Sequence, residues 1–382
     1  CIFKNRYYQF WLIQIRERSV CRKGILKGIP TILFCELGVM SKISMLFSVT
    51  VLVFLSSGCE KPRSWGELNS IIVGTSEDRW TVVGDLVELA LEAKIVTVRP
   101  EKTFMVTHQD PFQPEWDRLQ RFRQILLIGT ADDPWMKEVL ASTNQISPDR
   151  PDVFQVEDVW AKGQTVTVML LVSGNATEAE PLMDPLYDLL NAQYREWVKN
   201  RMFMTGRNEA LADSLWDLGQ FSIMLPRLYK RRQEDSVFMF RNDNPDPSEL
   251  IRQITITWRS YSPEEKAYGS VGMTKDDILT WRQEVADGHF GYPQVLDLSL
   301  IEMRRLQQGD IVMEEVRTVW ANPPEDAFPA GGPLITRVIP CKHQDRHYLA
   351  DAWLYAPGKD KYQYILQLEA ILNSFSCRRP TS

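Results

Sequence analysis

The sequence predicts an α/β sheet unit followed by an α+β unit built on antiparallel strands. Three observations carry this. First, "IIVGTSEDRW" at 71–80 and "LLIGTADDPW" at 126–135 share an apolar run, a Gly, then a polar acidic start. That is the signature of one strand–turn–helix unit used twice. Second, from about residue 218 onward, β-type runs alternate with turn signals, and helical patterns appear only near 274–290 and at the close. Third, 44% of the 382 residues are hydrophobic, enough to bury the cores of two ordinary domains.

Residues 1–39 are basic, open on Cys1 and show neither helical nor strand period. They read as a non-native or unstructured extension, with translation starting at Met40. Residues 40–58 read as a signal peptide. Lys42 precedes an apolar run from Ile43 to Leu55, 13 positions. A membrane span needs ~20 residues, whereas a signal's apolar region needs ~7–15. Ser57–Gly58–Cys59 then resembles a bacterial lipobox, with Ser56 standing where Leu is usual. The expectation is palmitate-type lipid on Cys59 and a tether over 59–68. Glu60, in place of the Asp that retains lipoproteins in the inner membrane, leans toward the periplasmic side of the outer membrane.

In the first unit, 69–217, "SIIV" is a buried strand and "EDRWTVVGDLVELALEAK" an amphipathic helix. "TFMVTH" and "QILLIGT" are strands, and "DPWMKEVLAS" is a short helix with Asp133 as cap and Pro134 in its first turn. "DVFQVEDVWA" and "QTVTVMLLVS" are strands around Lys162–Gly163. A long helix runs from about Glu178 to Trp216, broken near Gly206. In the second unit, 218–377, "FSIMLP", "VFMFRN" and "RQITITWRSY" read as strands. "TKDDILTWRQEVADGHF" is a helix capped by Thr274, with His289 at its end. Two strands meet at Gln308–Gly309–Asp310, "PLITRVIPC" and "HYLADAWLYAP" form a hairpin, and "DKYQYILQLEAILNSF" closes as a helix.

Charge narrows the function classes. Residues 1–58 carry eight Lys/Arg against two Asp/Glu, and residues 59–382 carry 36 against 48, a net of −12. An acidic body argues against nucleic acid, whose phosphates demand a basic surface. No phosphate loop, dinucleotide fingerprint, zinc-protease helix or nucleophile elbow is present. No catalytic residue, cofactor or metal is therefore assigned. Cys341, His343, Asp345 and His347 alternate, yet Gln344–Arg346 reads as a hairpin tip that breaks the alternation. Cys341 and Cys377 are candidates for a disulfide, and sequence does not show that they meet.

Candidate ligand-binding residues are few. Glu77, Asp78, Asp132 and Asp133 sit where open α/β sheets bind ligands and could hold a hard cation, although capping explains them as well. Trp160 with Gln164, and Trp320 with Gly331 and Gly332, are the others; Gly-Gly-Pro would let a partner's backbone come close. The 12 Trp favour an interface, where Trp is enriched.

Taken together, "IIVGTSEDRW", "VGDLVELAL", "RPEKTFMV", "FRQILLIG", "EDVWAKGQTVTV", Trp320, Gly331–Pro333 and "LADAWLYAPGKDKYQYILQLEAILNSF" resemble the domain of unknown function 4837 family, uncharacterised envelope lipoproteins of Gram-negative bacteria. Pro-rich "NPPEDAFPA" departs from that pattern. The second half also resembles the PsbP-like fold in "FSIMLP", "YLADAWLYAP" and the final helix. The resemblance implies location and architecture but no chemistry. The reading is a lipid-anchored envelope protein of non-catalytic binding or scaffold type, held to a membrane by its lipid and meeting a protein partner. Its alternatives are a periplasmic lipoprotein that binds a small ligand between the halves, and a metal-assisted hydrolase using Glu77, Asp78, Asp132 and Asp133.

Overall fold

The computed structural model describes residues 61–95, 97–143, 149–268, 273–326 and 329–379. The signal segment and Cys59 lie outside the described residues. The described residues from Lys61 onward fall in one compact unit that holds two main sheets.

The first sheet is built from β1 (Ser70–Gly74), β2 (Met105–Gln109), β3 (Gln124–Gly129), β4 (Asp152–Glu157) and β5 (Thr165–Leu170), in the order β2-β1-β3-β5-β4. All pairs are parallel except β4 with β5. The central strands are apolar without alternation because both faces are covered. Ile71, Val73, Leu126 and Ile128 face α1 (Glu77–Leu91) and α3 (Met183–Met202). Ile72, Ile125 and Leu127 face Trp116, Phe122 and Met136 beside α2 (Lys137–Ala141). The twin decapeptides are neighbours: β1 lies on β3 with Gly74 opposite Leu127, two residues out of step with the sequence match.

After α4 (Glu209–Gly219), which straddles the expected 217/218 boundary, comes the second sheet. It comprises β6 (Lys230–Glu234), β7 (Val237–Asn242), β8 (Ile251–Ser260), β9 (Val295–Leu296), β10 (Glu302–Gln308), β11 (Ile311–Ala321), β12 (Gly331–Cys341) and β13 (Arg346–Tyr355). The order is β9-β11-β12-β13-β8-β7-β6, with β10 also on β11, and all pairs are antiparallel. One face carries Ile335, Ile339, Tyr348 and Ala350 against Phe221, Leu225 and α6 (Tyr362–Leu372). The other carries Val338 and Leu349 against Ile278, Trp281 and Val285 of α5 (Lys275–His289). Thr274 caps α5 in a reciprocal box with Asp277, as the sequence pattern implies.

α6 serves both sheets. Tyr362 and Leu366 lie in the first core, while Ile365, Leu368 and Ile371 lie in the second. The Glu101 carboxylate accepts the N–H groups of Lys361 and Tyr362 at its start. Glu369, in the same helix, takes Arg195 of α3 at 2.6 Å and Arg317 of β11 at 2.6 Å.

Two expectations need correction. "FSIMLP" is not a strand: apart from two isolated bridges, Ser222 to Ser376 and Pro226 to Arg207, its backbone pairs with no ladder, and Phe221, Ile223 and Leu225 are simply core. The helix after the second decapeptide starts at Lys137, so Asp133 does not cap it. Instead its carboxylate closes the preceding turn, accepting Thr130 N–H at 2.6 Å.

Candidate functional site

At the carboxyl edge of the parallel sheet the two junctions open side by side, yet the four acids do not form a cation site. Glu77 (side chain 70% exposed) lies 3.7 Å from His108, and Asp78 and Asp132 are exposed. Asp133 is paired with the Arg79 guanidinium, which reaches across from the first decapeptide. That guanidinium also lies 5.7 Å from the Trp135 ring centre, and the Trp135 indole donates to Ile128 O at 3.1 Å. Trp80 stacks flat on His108, centroids 4.7 Å apart. A protein cation thus already occupies the place of the metal that the hydrolase reading needs. Among the described residues no three His, Cys, Asp or Glu groups are placed to hold a metal.

Two further candidates resolve into structural roles. Gln164 is fully buried; its Oε1 accepts Trp160 N–H at 3.0 Å and its Nε2 donates to Gln120 O and Phe122 O. A buried amide satisfied on both ends is a clamp between two loops, 158–164 and 120–123, not a free ligand group. The Trp160 indole donates to Glu138 at 2.8 Å. In the Cys341–His347 stretch, residues 342–344 form a 3₁₀ turn and Asp345 has φ +53°, so the alternation breaks. Cys341 is bonded to Cys377, His343 meets Cys377 O at 2.7 Å, and His347 meets Glu265 at 2.8 Å. Burial pushes the His347 imidazole below its ordinary 6.5 although Glu265 pulls it up.

Trp320 and the glycine pair come together at one end of the second sheet. Gly331 and Gly332 are the first residues of β12 rather than a turn, with Gly332 opposite Trp320. The chain that comes close is the protein's own, not a partner's. A Cβ on Gly332 would fall inside the Leu354 carbonyl, and one on Gly331 would lie 2.8 Å from Trp320 O. With no Cβ at 332, the Trp320 indole N–H reaches Leu354 O at 3.1 Å. Trp320 then meets Trp353 edge to face, centroids 5.2 Å apart.

These two indoles form the floor of a cavity of about 550 Å³. Tyr292 and Tyr355 supply its more accessible rings, and Asn322 and Asp326 its polar wall. β11 and β13 fix Trp320, Trp353 and Tyr355, the loop after α5 supplies Tyr292, and the connection into β8 and the loop after β11 supply the rest, with Pro247 and Pro293 stiffening the rim. Between the halves, by contrast, a smaller cavity of about 250 Å³ is lined by Lys94, Arg317 and Tyr362 among others.

Next to the aromatic floor runs a buried polar row that sequence reasoning missed. Thr255, Asp351 and Thr336 pair in register across β8, β13 and β12. Thr336 donates to Asp351 Oδ1 at 2.6 Å, and Arg282 of α5 (1% exposed) lies 3.3 Å from that oxygen and donates to Gln294. Phe290 links row and floor, 5.4 Å from the Arg282 guanidinium and 6.1 Å from Trp353. Arg282 Nη1, Asp351 Oδ2, Gln294 Nε2 and Trp353 Nε1 are buried without a hydrogen-bond partner among the described residues. The available signal was an Arg beside Trp281 on the apolar face of α5 and an acid inside "YLADAWLY".

No curated protein matches the sequence. Among solved structures, the cyanobacterial PsbP (CyanoP) of Synechocystis sp. PCC 6803 is similar at 11% identity, over 42% of this chain and 87% of its own, TM-score 0.29. The Ran-binding protein Mog1p of Saccharomyces cerevisiae is similar at 12% identity, over 42% of this chain and 90% of its own, TM-score 0.27. Residues 220–374, which contain the whole antiparallel sheet and every residue of the aromatic pocket, match the family described as Domain of unknown function (DUF4837).

Proposed function

We propose that this chain is a non-catalytic binding protein held at the bacterial cell envelope by lipid on Cys59, and that it takes its partner at the Trp320–Trp353 pocket. The pocket carries the binding part of this reading: a cavity of about 550 Å³ is within the ~300–1,000 Å³ of small-ligand sites, with aromatic walls and few polar groups. The signal-like segment before Cys59 and the Cys341–Cys377 disulfide support the location, because such bonds persist in oxidising compartments. The acidic body leaves nucleic acid aside.

Two measurements test it. Cells fed labelled palmitate should label the chain, and Cys59→Ala should abolish the label and free the protein from the membrane fraction. A photo-crosslinking amino acid at Tyr292 should capture a discrete adduct in intact cells, and Trp353→Leu in the same chain should remove it. An unlabelled chain found in the cytosol refutes the location. An adduct indifferent to Trp353→Leu refutes the site.

A further inference from the structure

The pocket's lining has one electrostatic sign. Its twelve lining residues include four aromatic rings (Tyr292, Trp320, Trp353, Tyr355), one amide (Asn322) and one carboxylate (Asp326), and no Lys, Arg or His. The Asp326 carboxylate has no hydrogen-bond or ion-pair partner among the described residues, although its backbone N–H is tied to Pro323 O at 2.9 Å. Ring faces carry partial negative charge, and a cation within about 6 Å of a ring centre is attracted to it, more strongly once desolvated. The outer wall already shows the preference, since the Arg241 guanidinium lies 5.3 Å from the Tyr292 ring centre. An anion would meet the Asp326 carboxylate with no cationic side chain in the lining to offset it, and a neutral ligand would leave the Asp326 charge uncompensated in a partly enclosed site.

We propose that the pocket binds a small organic cation of the alkylammonium class, its charge between the tyrosine rings and Asp326 and its apolar body on the Trp320–Trp353 floor. The proposal rests on the pocket being the binding site and adds the ligand's charge. The cavity is large enough for a free small molecule. Arg241 stays outside it, so no residue of the lining competes for the carboxylate.

The test uses the full chain after Gly58, titrated with choline, with n-butylammonium, with neohexyl alcohol (the uncharged carbon isostere of choline) and with maltose. Binding is read from the indole N–H signals of Trp320 and Trp353 in two-dimensional NMR and from calorimetry. One or both cations should bind saturably, at least tenfold more tightly than neohexyl alcohol. Asp326→Asn, a loop substitution of equal size, should weaken the cation about threefold to fivefold and leave the alcohol unchanged. The stronger of the two cations tells a quaternary from a primary ammonium ligand. Equal binding of cation and alcohol, an unchanged affinity in Asp326→Asn, or binding of maltose alone overturns the charge assignment while leaving the pocket as a site. Silence of both indole signals toward every probe overturns the proposal, and the Tyr292 cross-link then decides separately whether the pocket meets a macromolecular partner.

Discussion

Replacing both Cys341 and Cys377 by Ala removes the covalent tie between the end of β12 and the tail, without leaving a thiol behind. The bond spans 36 positions of sequence. In the chain-entropy account, closing a loop of that length lowers the unfolded state's entropy by about 13 cal/mol/K, or about 3.8 kcal/mol at 25 °C. Both cysteines are 1% exposed in the core beside Tyr348 and Phe375, so losing the sulfurs forfeits about 1 kcal/mol more in packing. Part of the tail's position is held without the bond: Ser222 and Ser376 exchange backbone hydrogen bonds at 2.8 and 2.9 Å, and His343 and Gln344 both reach Cys377 O. The loss should therefore appear in global stability rather than as a displaced tail. Urea unfolding followed by tryptophan fluorescence should show a fall of about 4–5 kcal/mol, with a slightly larger m as the unfolded chain opens. Native-state hydrogen exchange should still protect the Ser222 and Ser376 amides. A variant within about 0.5 kcal/mol of the parent would refute the reasoning, since neither loop entropy nor packing could then be at work.

Two other perturbations follow from the geometry. Gly332→Ala forces Leu354 or Trp320 to move and breaks the indole hydrogen bond, so it should cost about 3 kcal/mol or more; Gly288→Ala, in α5 with nothing near its Cβ, should instead gain up to about 1 kcal/mol. Thermal melts of the pair check both, and equal melting temperatures would refute the close-approach argument. For Glu315 and Glu369, burial alone would raise the pKa, but the arginines beside them (Arg317 and Arg337, Arg317 and Arg195) win and hold both below the ordinary 4.5. Both groups then bind fewer protons folded than unfolded, so their contribution is complete above about pH 4.5 and is lost as pH falls below it. Urea midpoints taken across pH 3–6 should decline below that value in the parent, and less steeply in Glu315→Gln measured from its own lower plateau.

The strands and helices with strong periods were legible, because a doubly covered strand and an amphipathic helix each leave an unambiguous pattern. The twin decapeptides were legible as one unit used twice, but not their adjacency or the tie between Arg79 and Asp133, because a side chain's partner across strands depends on strand order and register. "FSIMLP" misled because core residues in an irregular segment look like a strand when only hydrophobicity is read. Asp133 misled because an Asp before Pro suits a cap and a tight turn equally. Gly332 was singled out for the wrong reason: the glycine admits the protein's own carbonyl and indole. The Arg282–Asp351 row stayed hidden because charges inside apolar runs gain a partner only through tertiary packing.

The closing helix has a consequence for how the molecule is made. A ribosome that has produced everything up to α4 has yet to supply Tyr362 and Leu366, and the first core stays open on one side until those residues emerge. Closure of the first core must await Tyr362 and Leu366, and severing the backbone between the two sheets should yield fragments that clump rather than two independent modules.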